Sequence, residues 1–260
     1  MRAPGRNGAA FLAKMPLAPQ GCIQVSDLGV DPIFERPELI TETILVTSSA
    51  FGRNDGEEIA HKLYVLVARQ GAIKDSMPTI GDNSVLRYEG ALLSGTVFDA
   101  SSNEPINFNL SGVVRGFGNG MEYFQKGSGP IDNGDGTISY EEFGVGAIFI
   151  PSGLGYFALP PQGSIIPAYT PIIFKVDAFD FELNTDSDED GIPNILEDID
   201  NNGNLNNDNS DGDLAFDYQD ADDDGDGTPT RDEIQIDEEG NITYPDTDGD
   251  GTPDYLDPDN

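Results

Sequence analysis

Three things are scarce in this chain: cysteine, positive charge and long apolar runs. One cysteine, Cys22, stands among 260 residues, which excludes an intrachain disulfide framework and the usual structural zinc arrangements. No apolar run approaches the roughly 18 residues that a transmembrane helix needs. The first residues do not read as a secretory signal, because Ala9-Ala10-Phe11-Leu12-Ala13 is short and Lys14 interrupts it. Cys22 follows Leu17-Ala18-Pro19-Gln20-Gly21. Gly21 suits a lipid-attachment cysteine, whereas Pro19 and Gln20 do not. Lysine and arginine together number 13 against 48 acidic residues, a formal net charge of −35. Such a chain repels nucleic acid and anionic membrane and attracts cations.

The charge deficit is local. Residues 183–260 carry 27 acidic side chains and 1 basic one, while residues 1–182 carry 21 and 12. The first part is therefore a mildly acidic globule with an acidic module appended to it. With 37 % hydrophobic residues overall, the chain can bury one real core plus appendages.

Periodicity places the elements of that globule. Val85-Leu86-Arg87-Tyr88 alternates as a half-buried strand does, Ser94-Gly95 turns, and Thr96-Val97-Phe98 forms a second strand. Phe108 and Leu110 continue the alternation. Phe117, Met121 and Phe124 share one face of a short helix, which Gly116, Gly118 and Gly120 weaken on propensity, so packing must hold it. Ala147–Ile150 and Ile172–Phe179 read as strands, the second with Ile172, Phe174, Val176 and Ala178 on one face. Upstream, Lys62–Val67 reads as a strand, Gly71–Gly81 as a loop and Arg53–Gly56 as a turn, while Ile40–Val46 fits a strand or a helix. Several strands with one helix indicate an α+β class, an antiparallel sheet wrapped on a short helix.

Four local words carry a resemblance: Tyr88-Glu89-Gly90-Ala91-Leu92-Leu93-Ser94-Gly95-Thr96-Val97-Phe98-Asp99, Val113-Val114-Arg115-Gly116-Phe117, Ile148-Phe149-Ile150-Pro151-Ser152 and Ile165-Ile166-Pro167. In this order they resemble FKBP-type peptidyl-prolyl isomerases over about a hundred residues. The resemblance implies a proline pocket lined by Tyr88, Phe98, Val113, Val114, Phe117, Ile166 and Phe174. It implies that the Val114 N–H and the Tyr156 hydroxyl bind substrate carbonyls, with Asp99 as the polar group at the pocket edge. It implies no catalytic cofactor and Pro-containing polypeptides as substrates. The departures are a phenylalanine, Phe117, where the family commonly has tryptophan, Ile106 where an aromatic is frequent, and Phe157 where glycine is usual. Ala100–Glu104 is short, and Leu159-Pro160-Pro161-Gln162 alters the loop over the pocket.

On this reading residues 1–59 are a poorly defined leader, 60–183 the isomerase domain with an insertion at about 128–145, and 184–260 acidic repeats. Within the insertion, Asn133, Asp135, Gly136 and Glu142 fit positions of an EF-hand calcium loop, but Ile131 stands at position 1. A tight hairpin is the alternative and the preferred one. Such an insertion could project beside the pocket.

The tail repeats one loop pattern of alternating carboxylates with glycine at position 6. Asp186, Asp188, Asp190, Asn194 and Glu197 supply oxygens in the first loop. Asp222, Asp224, Asp226, Thr230 and Glu233 supply them in another, and Asp246, Asp248, Asp250, Asp254 and Asp257 in the last. Weaker copies hold Asp198, Asp200 and Asn202, and Asn209 with Asp211, Asp213, Asp217 and Asp220. This spacing lets a short chain wrap a hard cation, and it resembles thrombospondin type 3 repeats, which bind structural calcium on exported proteins. Ile195, Leu196, Leu214, Phe216, Tyr255 and Leu256 are the apolar residues expected to pack between loops. The expectation is an exported, envelope-associated isomerase with a calcium-ordered stalk. The alternatives are a non-catalytic module that grips Pro-containing segments and a calcium-dependent surface spacer.

Overall fold

The computed structural model describes residues 38–47, 51–52, 57–101 and 104–259. The lipid-attachment reading of Cys22 and the turn at Arg53–Gly56 lie outside the described residues. Nine strands precede the tail: β1 (Glu38–Thr47), β2 (Glu58–Arg69), β3 (Asn83–Leu92), β4 (Val97–Ala100), β5 (Ile106–Asn109), β6 (Ser128–Asp132), β7 (Ile138–Glu141), β8 (Gly144–Ile150) and β9 (Ile172–Glu182). The main sheet is antiparallel in the order β1-β2-β8-β9-β3-β4, with β5 also paired to β3.

The ambiguous Ile40–Val46 segment is a strand, paired with β2 along its whole length from Glu38↔Val67 to Thr47↔Glu58. Ile44 and Val46 face the core and are buried, so the sheet extends upstream of Ala60. Alternation decides the matter: one side of β1 meets the core and the other meets water.

Helix α1 (Arg115–Met121) crosses the sheet and buries Phe117 and Met121, with Phe124 following just beyond its end. Its glycines have a packing purpose. A Cβ at Gly116 would lie 2.5 Å from Ile150 Cγ2, and one at Gly120 would lie 2.6 Å from Ile148 Cγ2. The helix forgoes about 1 kcal/mol of propensity per glycine and in exchange seats its backbone directly on β8.

The insertion is a hairpin of β6 and β7. The Asn133 N–H donates to the Thr137 carbonyl at 3.1 Å, and Asp135 Oδ1 accepts from the Thr137 N–H at 2.9 Å and its hydroxyl at 2.6 Å. These side chains close a turn. Tyr140 of β7 stacks on Phe179 with ring centroids 5.2 Å apart. Phe179 lies five residues along β9 from Phe174, about 17 Å at strand rise. The hairpin therefore sits at the end of the sheet away from Phe174, not beside the pocket.

The tail starts without slack after β9. The Thr185 N–H donates to Asp82 Oδ1 at 3.1 Å, and the Asn83 N–H donates to Thr185 Oγ1 at 3.1 Å. Its chain runs through short 3-10 turns, a one-turn helix α2 (Thr230–Glu233) and a two-residue hairpin of β10 (Gln235–Ile236) and β11 (Ile242–Thr243). Two small apolar clusters organise it. Leu205 and Tyr218 pack on Ile80 of the sheet domain, joined by Ile195 and Phe216. Ile192, Ile234 and Tyr255 form the second, with Leu256, Ile242 and Tyr244 at its edge. Two residues expected inside are outside: Leu196 is exposed and Leu214 is 101 % exposed.

Candidate active site

The pocket is assembled from the middle of the sheet and the start of α1. Phe117 and Phe174 form its buried base with ring centroids 4.9 Å apart, edge to face. Tyr88 of β3 lies 5.8 Å from Phe174 and 6.4 Å from Phe117, and Phe98 of β4 lies 5.6 Å from Phe174. Gly90 makes room for that last ring, since a Cβ there would come within 2.6 Å of Phe98. A fifth ring, Phe108, was read only as part of a strand pattern. It lies 5.5 Å from Tyr88 and 6.3 Å from Phe117. The alternation that shares a strand face between Ile106 and Phe108 was its one sequence signal. With Ile106 aliphatic, Phe108 is the aromatic that β5 contributes.

Ile166 is buried in the same core, and Val113, Val114 and Tyr156 are half-buried against it. Val114 precedes α1 in extended conformation, its carbonyl accepting the Phe117 N–H at 2.7 Å. The polar groups gather at Asp99. The Tyr88 hydroxyl donates to Asp99 Oδ2 at 2.6 Å, and Asp99 Oδ1 accepts the Ala100 N–H at 2.9 Å. Desolvation raises the Tyr88 phenol, and its bond to Asp99 raises it further. Tyr156 is raised likewise by burial and then by the Asp99 charge. Both phenols are neutral donors at physiological pH. Tyr88, Phe98, Phe117 and Phe174 thus share one ring cluster, Asp99 and Tyr156 act on each other at its polar side, and Val113, Val114 and Ile166 belong to the same core.

The residue after Tyr156 takes a backbone conformation that favours glycine without being one. Phe157 has φ 44°, the left-handed region that costs an ordinary side chain about 1–2 kcal/mol. Compensation comes from its packing: its ring lies 4.4 Å from Phe51 and 5.0 Å from Tyr169, and its carbonyl accepts the Tyr169 N–H at 2.6 Å. The loop that follows leaves Leu159 86 % exposed and Ile165 exposed.

The acidic loops obey one hydrogen-bond scheme. In four of them the glycine at position 6 has positive φ and donates its N–H to the carboxylate at position 1: Gly191 to Asp186, Gly203 to Asp198, Gly227 to Asp222 and Gly251 to Asp246, at 2.8–3.1 Å. Four residues at position 9 serve as latches rather than pointing to the loop centre. Asn194, Asp217, Thr230 and Asp254 accept the N–H at position 2 from Ser187, Ser210, Asp223 and Thr247. Carboxylates that converge to within 4.8 Å include Asp186/Asp188/Asp190, Asp198/Asp200/Asp208, Asp211/Asp213/Asp220 and Asp222/Asp224/Asp226. Asp208 belongs to a group although the sequence reading passed over it. Asn202 donates its Nδ2 to Asp200 Oδ2 at 2.7 Å. Asp248 and Asp250 take the last loop's N–H groups of Asp250 and Thr252. Asp257 is buried and its charge reaches Asp224, while Glu233 ends α2 half-buried.

Comparison with known proteins finds a match of residues 74–130 to the family model of FKBP-type peptidyl-prolyl cis-trans isomerase. A probable FKBP-type isomerase FkpA of Neisseria meningitidis is 34 % identical over 89 residues, 34 % of this chain and 32 % of that protein. FK506-binding protein 1 of Dictyostelium discoideum is 28 % identical over 122 residues, 45 % of this chain and 96 % of that one. The peptidyl-prolyl isomerase Mip of Coxiella burnetii is 30 % identical over 115 residues, 44 % and 41 % of the two chains. The chain thus spans 32 % and 41 % of the lengths of the Neisseria FkpA and the Coxiella Mip. The crystal structure of FkpA from Escherichia coli aligns at TM-score 0.37 and 26 % identity, over 54 % of this chain and 52 % of that one. Residues 74–130, which carry Tyr88, Phe98, Phe108 and Phe117, are thus similar to FKBP-type peptidyl-prolyl cis-trans isomerases.

Proposed function

We propose that the chain accelerates rotation about Xaa-Pro bonds of exported polypeptides at the cell envelope, and that calcium orders its acidic tail. The carrying observation is the cluster of five rings with Asp99 and two neutral phenols, Tyr88 and Tyr156, beside it. Prolyl rotation faces a barrier of roughly 18–20 kcal/mol and makes or breaks no covalent bond, so no nucleophile or cofactor is required. The twisted amide has lost resonance and charge separation. A dry aromatic enclosure favours it over the polar planar form. Phe117, Phe174, Tyr88, Phe98 and Ile166 would enclose the proline ring. The Val114 N–H and the Tyr156 hydroxyl would hold carbonyls on either side of the twisted bond, and Asp99 would keep Tyr88 oriented. The tail's converging carboxylates offer only hard oxygen donors, which suit Ca²⁺. Extracellular calcium modules bind at on the order of 10⁻⁴–10⁻³ M, which supports export.

The test is a protease-coupled or NMR-exchange assay of the full chain on Xaa-Pro peptides. The expected preference is for an apolar residue before proline, given exposed Leu159 and Ile165 at the rim. Phe98→Ala should lose roughly tenfold or more, and Tyr156→Phe a few-fold, the worth of one hydrogen bond. A folded Phe98→Ala protein at the wild-type rate would place the site elsewhere. No acceleration by the wild-type chain would leave a module that only grips proline segments.

A further inference from the structure

One carboxylate group differs from the others by being buried and by joining separate loops. Asp190 and Glu197 of the first loop and Asp223 of the fourth, which starts at Asp222, bring ligand oxygens within 4.8 Å of one another. They are 2 %, 0 % and 1 % exposed. Neither oxygen of Glu197 has a hydrogen-bond partner, and Asp190 Oδ2 has none. The tail's basic side chain, Arg231, spends Nη1 on the Glu189 carbonyl. Three carboxylates drawn together in a dry site repel one another and lose solvation, and Arg231, whose charge reaches Asp190, is one cation against three.

The arrangement leaves three converging carboxylates with unpartnered buried oxygens. A shared cation resolves it. We propose that a divalent hard cation of calcium's size sits between Asp190, Glu197 and Asp223, clamps the first loop to the fourth, and thereby holds the tail docked on the sheet domain. The inference rests on the reading of the tail as calcium-binding and adds to it a particular site and a mechanical role. Donor chemistry selects the ion class: all-oxygen ligands exclude a preference for soft metals. Three protein carboxylates in a dry site suit Ca²⁺ better than Mg²⁺, which keeps several waters and takes one or two carboxylates.

The clamp acts on docking because the two loops it joins flank the contacts to the sheet domain. Asn194, three residues before Glu197, is fully buried and donates its Nδ2 to the Gly81 carbonyl at 2.8 Å. Tyr218, five residues before Asp223, packs with Leu205 on Ile80. Between them the chain covers α1: the Arg115 guanidinium donates to the Asn202 carbonyl, and Asn206 donates to the Ser111 carbonyl at 2.8 Å. Arg115 adjoins Val114 of the pocket, so docking braces the end of α1 that the substrate meets.

The test uses the full chain with CaCl₂ as the only ligand, read by calorimetric titration and by hydrogen exchange over residues 193–220. Wild type should protect these amides with calcium and lose that protection with chelator. Glu197→Gln, and separately Asp223→Asn, should lose one binding event or weaken it at least tenfold, and should lose the protection. Asp248→Asn, in the last loop, should leave the protection in place. Neutralising an uncompensated buried carboxylate should also raise the melting temperature of the calcium-free protein while lowering that of the calcium-loaded one. That crossing distinguishes clamp loss from misfolding. Unchanged calcium affinity in both clamp variants, or protection that ignores calcium, overturns the proposal and leaves the tail's other loops as calcium sites. A wild-type chain that binds no calcium overturns both it and the calcium reading. Isomerase activity of the same samples reports separately on the catalytic reading.

Discussion

Glu122 shows how a single residue answers to its surroundings. It caps the end of α1, where burial first and the Glu42 carboxylate second push it up to about 7 from 4.5, against hydrogen bonds from Asn119 and the Ile80 backbone. An acid raised on folding contributes stability that is complete below its unfolded value near 4.5 and is lost as pH rises towards 7. Glu122→Gln keeps the acceptor oxygen and removes the charge. It should therefore raise stability at pH 8 by roughly 3 kcal/mol at most, taking 1.36 kcal/mol per tenfold change, and by almost nothing at pH 4. Thermal melts of both proteins across that range test the sign. A gain that is largest at low pH would show that the charge is not what the fold resists.

At the scale of elements, the glycine-rich helix and the insertion are the informative cases. Gly120→Ala adds helix propensity worth about 1 kcal/mol but drives a methyl into Ile148, 2.6 Å away. Overpacking of this kind costs about 1–3 kcal/mol, so the variant should unfold at lower denaturant. Removing the hairpin from Pro130 to Glu141 should leave the number of bound calcium ions unchanged, because Asn133 and Asp135 already serve the turn. A calcium site lost with the hairpin would reverse that assignment. Much of the pocket was legible because its residues sit in local words: Tyr88 to Asp99, Val113 to Phe117. Phe108 was not, since nothing in a four-residue strand says which ring its neighbours will turn towards. β1 was ambiguous for a similar reason, as Ile40–Val46 shows its period only once β2 lies alongside.

The whole molecule is a sheet domain and an acidic arm that share contacts. The loop pattern was visible in the spacing of carboxylates and glycines. The latches at Asn194, Asp217, Thr230 and Asp254 were not, because a residue type that can ligate a cation can equally accept an N–H. Nor was Asp223, whose partners Asp190 and Glu197 lie about thirty residues upstream. Calcium at millimolar levels should compact residues 184–260 of the full chain in small-angle scattering and protect them from protease. Magnesium should do so less, given its tighter octahedral demand. Superimposable profiles with calcium and with chelator would reduce the tail to an acidic appendage.

Thr185, where the arm leaves β9, hydrogen-bonds to both Asp82 and Asn83 at the start of β3. A flexible tether lets its two ends sample many separations and gives a modest local concentration at each of them. A braced arm concentrates its effect at one separation and abolishes it at others. Any surface that grips the far end of this arm would hold the prolyl pocket at a set height and heading. Clients would then be met at that distance, in the manner of a tool fixed in a stand.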